Sequence, residues 1–183
     1  MTEFIYLHGF ASGPNSNKAR VFKERFEELS IPIHVPDLQQ NDFENLTLSR
    51  QIELVQAILD REEHKNFGLV GSSMGGYLAS IIAQTRESVK ALYLMAPGFN
   101  FLKRWRKKLD LSKTAASLIP VFHYRYNKEV LLNTHLFQDA EKWESLSLDR
   151  DIPTVIAHGL HDETVSIQES RSFVQSHPKS QLR

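Results

Sequence analysis

Short apolar runs alternate with segments of helical spacing along most of the chain. FIYL (4–7), IHV (33–35), FGLV (67–70), ALYLM (91–95) and TVIAH (154–158) are brief and rich in β-branched or aromatic residues, which predicts buried strands. Between them, residues 17–30 carry Val21, Phe22, Phe26 and Leu29 at spacings of three and four, predicting a helix with one apolar face. Residues 47–62 repeat the pattern with Leu48, Ile52, Val55, Ile58 and Leu59. A third helix, over 75–84, is apolar almost all round and should be buried.

Strands apolar on both faces, alternating with helices, imply an α/β fold: a parallel sheet with helices on both faces. Right-handed crossovers put every strand's C-terminal end on one edge, where ligands bind in such sheets. Residues 97–150 break the rhythm, since a crossover needs only about a dozen residues. This stretch should begin with a helix near Phe101, continue less regularly, and form a cap-like insertion over the sheet edge. The whole of residues 1–183 reads as a single domain.

Composition narrows the function classes. Hydrophobic residues make up 41% and charged residues 24%, as in a globular protein rather than a disordered or membrane one. Lys plus Arg equals Asp plus Glu at 22 each, so no global field recruits nucleic acid or acidic lipid. The absence of cysteine excludes disulfides, thiolate metal sites and a cysteine nucleophile. MTEFIYLHG goes straight into a strand without a secretory pattern, and no run approaches the 18 or so apolar residues of a membrane span. The expectation is a cytoplasmic protein without stable membrane association, acting on a small molecule and needing neither metal nor organic cofactor.

GSSMG (71–75) fits G-x-S-x-G with Ser73 at its centre, after a predicted strand and before a predicted helix. A sharp strand-to-helix turn strains the central residue and presses neighbouring chain against its flanks, so small residues are needed on both sides. A plain glycine-rich turn capped by serine is the bland alternative. A phosphate loop is a poor one, because no Lys follows the glycines. LHGFASGPNSNKA (7–19) leaves the first strand at the same edge, and the amides of Phe10 and Met74 would form an oxyanion hole for Ser73. There His8 reads as structural, and Ser12 and Ser16 as turn and cap residues. HGLHDETV (158–165) leaves the last predicted strand, and Asp162, rather than Glu163, is placed to orient a histidine base. Taken alone, Asp162 would read as a helix cap.

Those three segments, LHGFASGPNSNKA, VGSSMGGY and GLHDETV, in this order and spacing, resemble the α/β-hydrolase superfamily and, more narrowly, its small bacterial YqiA-like esterase family. The likeness covers most of the chain and is weak across the cap. It implies a serine hydrolase cleaving carboxylic esters or acyl thioesters through an acyl-enzyme, with Ser73 as nucleophile and Asp162 as acid. A non-catalytic binding module on the same scaffold is the competing reading.

Chain order in that superfamily puts the histidine after the acid, and only His177 follows Asp162. Ile167, Phe173 and Val174 predict a helix running back down the sheet, which carries His177 roughly 18 Å from the catalytic edge at about 1.5 Å per residue. A last strand beginning near SQLR would climb back, incomplete at Arg183, and bring a histidine to the edge about five to ten residues later. His158 and His161 beside the acid, and His123 and His135 in the cap, read as surface or packing residues. In the cap, Phe101, Trp105 and Leu109 form an apolar stripe while Lys103, Arg104, Arg106, Lys107 and Lys108 crowd the remaining surface. That cluster reads as a solvated helix face, as a binding site for the phosphates of an acyl-coenzyme A or, third, as a membrane-attachment surface.

Overall fold

Strand β1 (Thr2–Leu7) shows how the layers are built. Its residues alternate faces: Ile5 and Leu7 join the main core, whereas Phe4 and Tyr6 belong to a smaller cluster on the other side. The protein is known here from a computed structural model that describes residues 2–61, 64–109 and 118–183. Five further strands flank β1: β2 (Ile33–His34), β3 (Asn66–Ser72), β4 (Val89–Met95), β7 (Thr154–Ala157) and β8 (Ser180–Leu182). The order is β2-β1-β3-β4-β7-β8, and every pairing is parallel.

Helix α1 (Asn17–Glu28) covers the smaller cluster, with Phe26 against Phe4 at 4.9 Å and Phe22 against Tyr6 at 5.4 Å between ring centroids. Its buried stripe runs through Ala19, Phe22 and Phe26, a spacing of three and four. Val21 and Leu29, expected on the apolar face, are instead 60% and 54% exposed. The reason is rotation: contact with the aromatic rings of β1 sets which stripe faces the sheet, and Val21 and Leu29 fall off it.

On the other face, α2 (Leu48–Asp60) and α3 (Met74–Thr85) pack against each other and the sheet. Every residue from Met74 to Ala83 is buried, as an all-round apolar helix requires. α6 (Ile167–Ser176) precedes β8 and lies against it.

Between β4 and β7 lie α4 (Phe101–Lys108), an antiparallel hairpin of β5 (Leu118–His123) and β6 (Lys128–Asn133), and α5 (His135–Glu144). The irregular stretch expected after α4 is thus replaced in part by a second, two-stranded sheet. Pro120 hides β5 in the sequence, because proline suits only strands whose N–H needs no partner. Ile119, Val121 and His123 nevertheless point inward, with Pro120 and Phe122 outward. Three side chains fasten this region to the domain. Asp139 of α5 accepts from the amide and hydroxyl of Ser49, and Trp143 donates to the same hydroxyl. Arg150 spreads its guanidinium over the carbonyls of Ala83, Arg86, Glu87 and Val89, closing the end of α3 and the start of β4.

Candidate active site

Leu7, Gly71, Ser72, Met95 and Ala157 sit side by side where four strands end: Leu7 pairs with Gly71, Ser72 with Met95, and Met95 with Ala157. The loops after these strands therefore rise from one rim, and they carry His8 to Gly13, Ser73, and His158 to Asp162. β8 reaches the same rim, with Arg183 donating to Ile156 and accepting from His158.

Ser73 stands between β3 and α3 with φ 52° and ψ −118°, a left-handed region that costs a non-glycine residue about 1 to 3 kcal/mol. Backbone bonds hold it there. Its N–H donates to Met95, and its carbonyl accepts from Gly76, Tyr77 and Gly98 at 2.9 to 3.2 Å. The glycines answer a demand for space. A Cβ on Gly71 would lie 2.5 Å from the Gly75 carbonyl oxygen, and one on Gly75 would lie 2.6 Å from that of His8. One on Gly76 would meet Pro97 at 2.9 Å. β3, α3 and the His8 loop thus touch through bare backbone. Ser73 has no capping bond to α3, which leaves its hydroxyl uncommitted.

The side chain of Ser73 is half-buried and faces a cavity of about 300 Å³ shared with Gly9, Phe10, Ser12 and Tyr124. Gly9 is close enough that an added Cβ would sit 3.4 Å from the Ser73 Cβ. Phe10 follows it, and Met74 begins α3. Neither the Phe10 nor the Met74 amide donates a hydrogen bond among the described residues. Both N–H groups are thus without an acceptor among the described residues, one on a residue lining the Ser73 cavity and one on the residue after Ser73.

The loop bearing Phe10 is anchored from both sides. His8 is buried; its Nε2 accepts from the Leu38 amide, so the proton on Nδ1 is given to Gly9 O. Gln39 donates to Ser12 O, and the Tyr124 amide to Ala11 O. The Phe10 ring packs among Phe43, Phe101 and Trp105, with centroids 5.3 to 6.0 Å away. Phe43 and the α4 rings of Phe101 and Trp105 therefore brace this loop, which sequence periodicity could not foretell.

Asp162 lies five residues past the end of β7. Its Oδ1 accepts from the Thr164 and Val165 amides, both at 2.8 Å, and Oδ2 is 4.0 Å from His158 Nε2. Burial opposes ionisation, but the Val165 and Thr164 amides and the charges of His158 and Lys18 together hold the carboxyl below its usual value. The cap of α6 is Ser166, so Asp162 does not do that work. Glu163 is exposed.

The histidines are mostly committed elsewhere. His158 donates from Nε2 to Val165 O, its Nδ1 lies 2.7 Å from the Ser170 hydroxyl, and it is buried. His123 is buried against Phe43 and Gln39. His177 caps α6, stacks on Phe173 at 3.9 Å and contacts Leu148 O, three residues before β8 starts at the opposite edge. His161 is exposed beside Asp162, and His135 is exposed at the start of α5; neither side chain bonds Ser73 or Asp162 among the described residues.

Three of the five cap cations have structural partners. Arg104 donates to the buried Glu169 carboxylate, which also accepts from the Asn100 amide. Arg106 bridges Glu141 and Glu144, and Lys108 lies over the Trp105 ring at 5.1 Å. These contacts favour the reading of α4 as a cap helix with a solvated face.

A Mycoplasma pneumoniae protein named "Putative esterase/lipase 2" is 27% identical to this chain over 209 residues, covering 97% of this chain and 77% of that protein. The solved structure of ferulic acid bound to Est1E from Butyrivibrio proteoclasticus matches with a TM-score of 0.85 at 19% identity, over 100% of this chain and 78% of that one. Mouse alpha/beta hydrolase domain-containing protein 10 gives 0.77 at 23% identity, over 98% and 78%. The strand order, the crossovers and these likenesses show an α/β-hydrolase fold. The profile of the uncharacterised protein family UPF0227 matches residues 3–180, and this chain belongs to that family, the YqiA-like branch of the superfamily.

Proposed function

We propose that this chain is a serine hydrolase cleaving carboxylic esters or acyl thioesters. The observation that carries the reading is Ser73 itself, held at positive φ with an uncommitted hydroxyl in a cavity, together with the undonated amides of Phe10 and Met74. The esterase/lipase name of the Mycoplasma relative supports the same class.

In the proposed reaction the Ser73 oxygen attacks the carbonyl carbon while a histidine takes the hydroxyl proton. The carbonyl oxygen becomes an oxyanion and accepts from the Phe10 and Met74 amides, each contributing roughly 2.7 to 4 kcal/mol in such sites. Collapse breaks the bond to the leaving group, which departs as alcohol or thiol with the proton from the histidine. Water then repeats the sequence on the acyl-Ser73 ester and frees the acid. Asp162 orients the histidine. Among the described residues, no histidine bridges Ser73 and Asp162.

The same lack of a bridging histidine favours a second reading, a binding module that keeps the scaffold without turnover. A fluorophosphonate separates the two. Covalent labelling mapped to Ser73 by mass spectrometry, and abolished in Ser73→Ala, is expected of the enzyme. Absence of labelling in the full-length gene product would leave the binding module.

A further inference from the structure

The cavity in front of Ser73 has an uneven chemical lining. Hydroxyl, amide and ammonium groups come from Ser12, Asn17, Lys18 and Tyr124, and no carboxylate lines it. Tyr6 also borders it, and burial pushes its phenol up to about 12 despite a bond from Ser16, so it remains neutral. Among the described residues, Lys18 is the one cation lining the cavity. Near this rim, Arg125 pairs with Asp37 at 2.8 Å, and Arg104 with Glu169. Lys18 has no ion-pair or hydrogen-bond partner among the described residues.

Its position is not explained by helix stability. Lys18 stands in the first turn of α1, where a cation opposes the helix dipole and no acidic residue offsets it. Burial opposes ionisation of Asp162, but after the Val165 and Thr164 amides and His158 the charge of Lys18 also contributes to that carboxyl lying below its usual value. A cavity of about 300 Å³ is at the small end for ligand sites.

We propose that Lys18 is a specificity-determining residue that selects small esters or thioesters carrying a negative group, a carboxylate or a phosphate, on the portion of substrate that faces this mouth. The inference rests on Ser73 being the reactive residue at that cavity. An anionic tail would meet one unmatched ammonium and several neutral donors. A neutral tail would leave the ammonium to water.

The test uses 4-nitrophenyl esters of equal acyl length ending in a methyl, a carboxylate or a phosphonate group. The ratio of kcat/KM for a charged ester to that for the neutral one should fall about tenfold in Lys18→Ala, the worth of one charge-assisted hydrogen bond. It should fall further in Lys18→Glu and recover in Lys18→Arg. The larger ratio in the native protein identifies carboxylate or phosphonate as the better tail. Ratios unchanged across these variants overturn the inference while leaving hydrolysis intact. Binding of the same esters to Ser73→Ala, measured by calorimetry, provides a readout that needs no turnover. Lys18-dependent preference for a charged ester there sustains the inference even if the native protein hydrolyses nothing, and equal binding of charged and neutral esters overturns it.

Discussion

Gly75→Ala adds one methyl group at the point where α3 meets the His8 loop. That carbon would lie inside contact range of the Leu7 carbonyl and 2.6 Å from the His8 oxygen, whereas real Cβ atoms essentially never come within 3.0 Å of such neighbours. Both neighbours are main chain, so no side chain can swing aside. Leu7 is paired with Gly71 in the sheet, so the strain is relieved mainly by moving the loop from His8 to Phe10 away from Ser73. Overpacking of this kind costs about 1 to 3 kcal/mol. At about 2 to 4 °C per kcal/mol for a domain of this size, the melting temperature should drop by up to about 12 °C. The chemical effect should be larger, because a shift of about 1 Å in a positioned group can cost about 100-fold in rate. Melting followed by circular dichroism gives the first quantity, and the rate of fluorophosphonate labelling at Ser73 gives the second. Gly159→Ala is the matched control: nothing lies within 4 Å of its added carbon, so its stability should change by no more than about 0.5 kcal/mol. A Gly75→Ala protein with native melting temperature and native labelling rate would refute the claim that backbone contact at Gly75 sets the loop.

Two further perturbations address the rest of the rim and its support. Because folding lowers the Asp162 pKa from its ordinary value of 3.8, the ionised group contributes stability above that pH and loses it as pH falls through the lower folded value. Asp162→Asn should therefore lower the urea midpoint more at pH 7 than at pH 2 to 3, and an equal effect at both would contradict the lowered pKa. Arg150→Ala strips four carbonyls of their shared donor and should cost about 2 to 3 kcal/mol in urea unfolding. Arg150→Lys should recover less than half of this, since an ammonium lacks the planar fork that spans them; full recovery would show that charge alone suffices.

The central elements were legible because their signals are local. Short apolar runs mark β1, β3, β4 and β7, helical spacing marks α2, and an all-round apolar stretch marks α3, each within a few residues of its ends. G-x-S-x-G marked the turn, because backbone-to-backbone contact at Gly71 and Gly75 tolerates no side chain and so leaves its trace in residue identity. The face that α1 presents is not encoded locally, since Val21 and Phe22 are both apolar and only the aromatic rings on β1 choose between them. The hairpin of β5 and β6 is hidden in the sequence because Pro120, which has no N–H to give a ladder, stands inside β5.

The sequence by itself determined the alternation of strands and helices, the strained serine turn and the order of the motifs, because each depends on residues close together in the chain. Only the tertiary structure decided which distant groups meet. It brought Gln39 and Tyr124 to brace the Phe10 loop, Glu169 to take Arg104, and Lys18 to the mouth of the Ser73 cavity. Pairings of that kind depend on the twist and register of the sheet, and no local spacing encodes them.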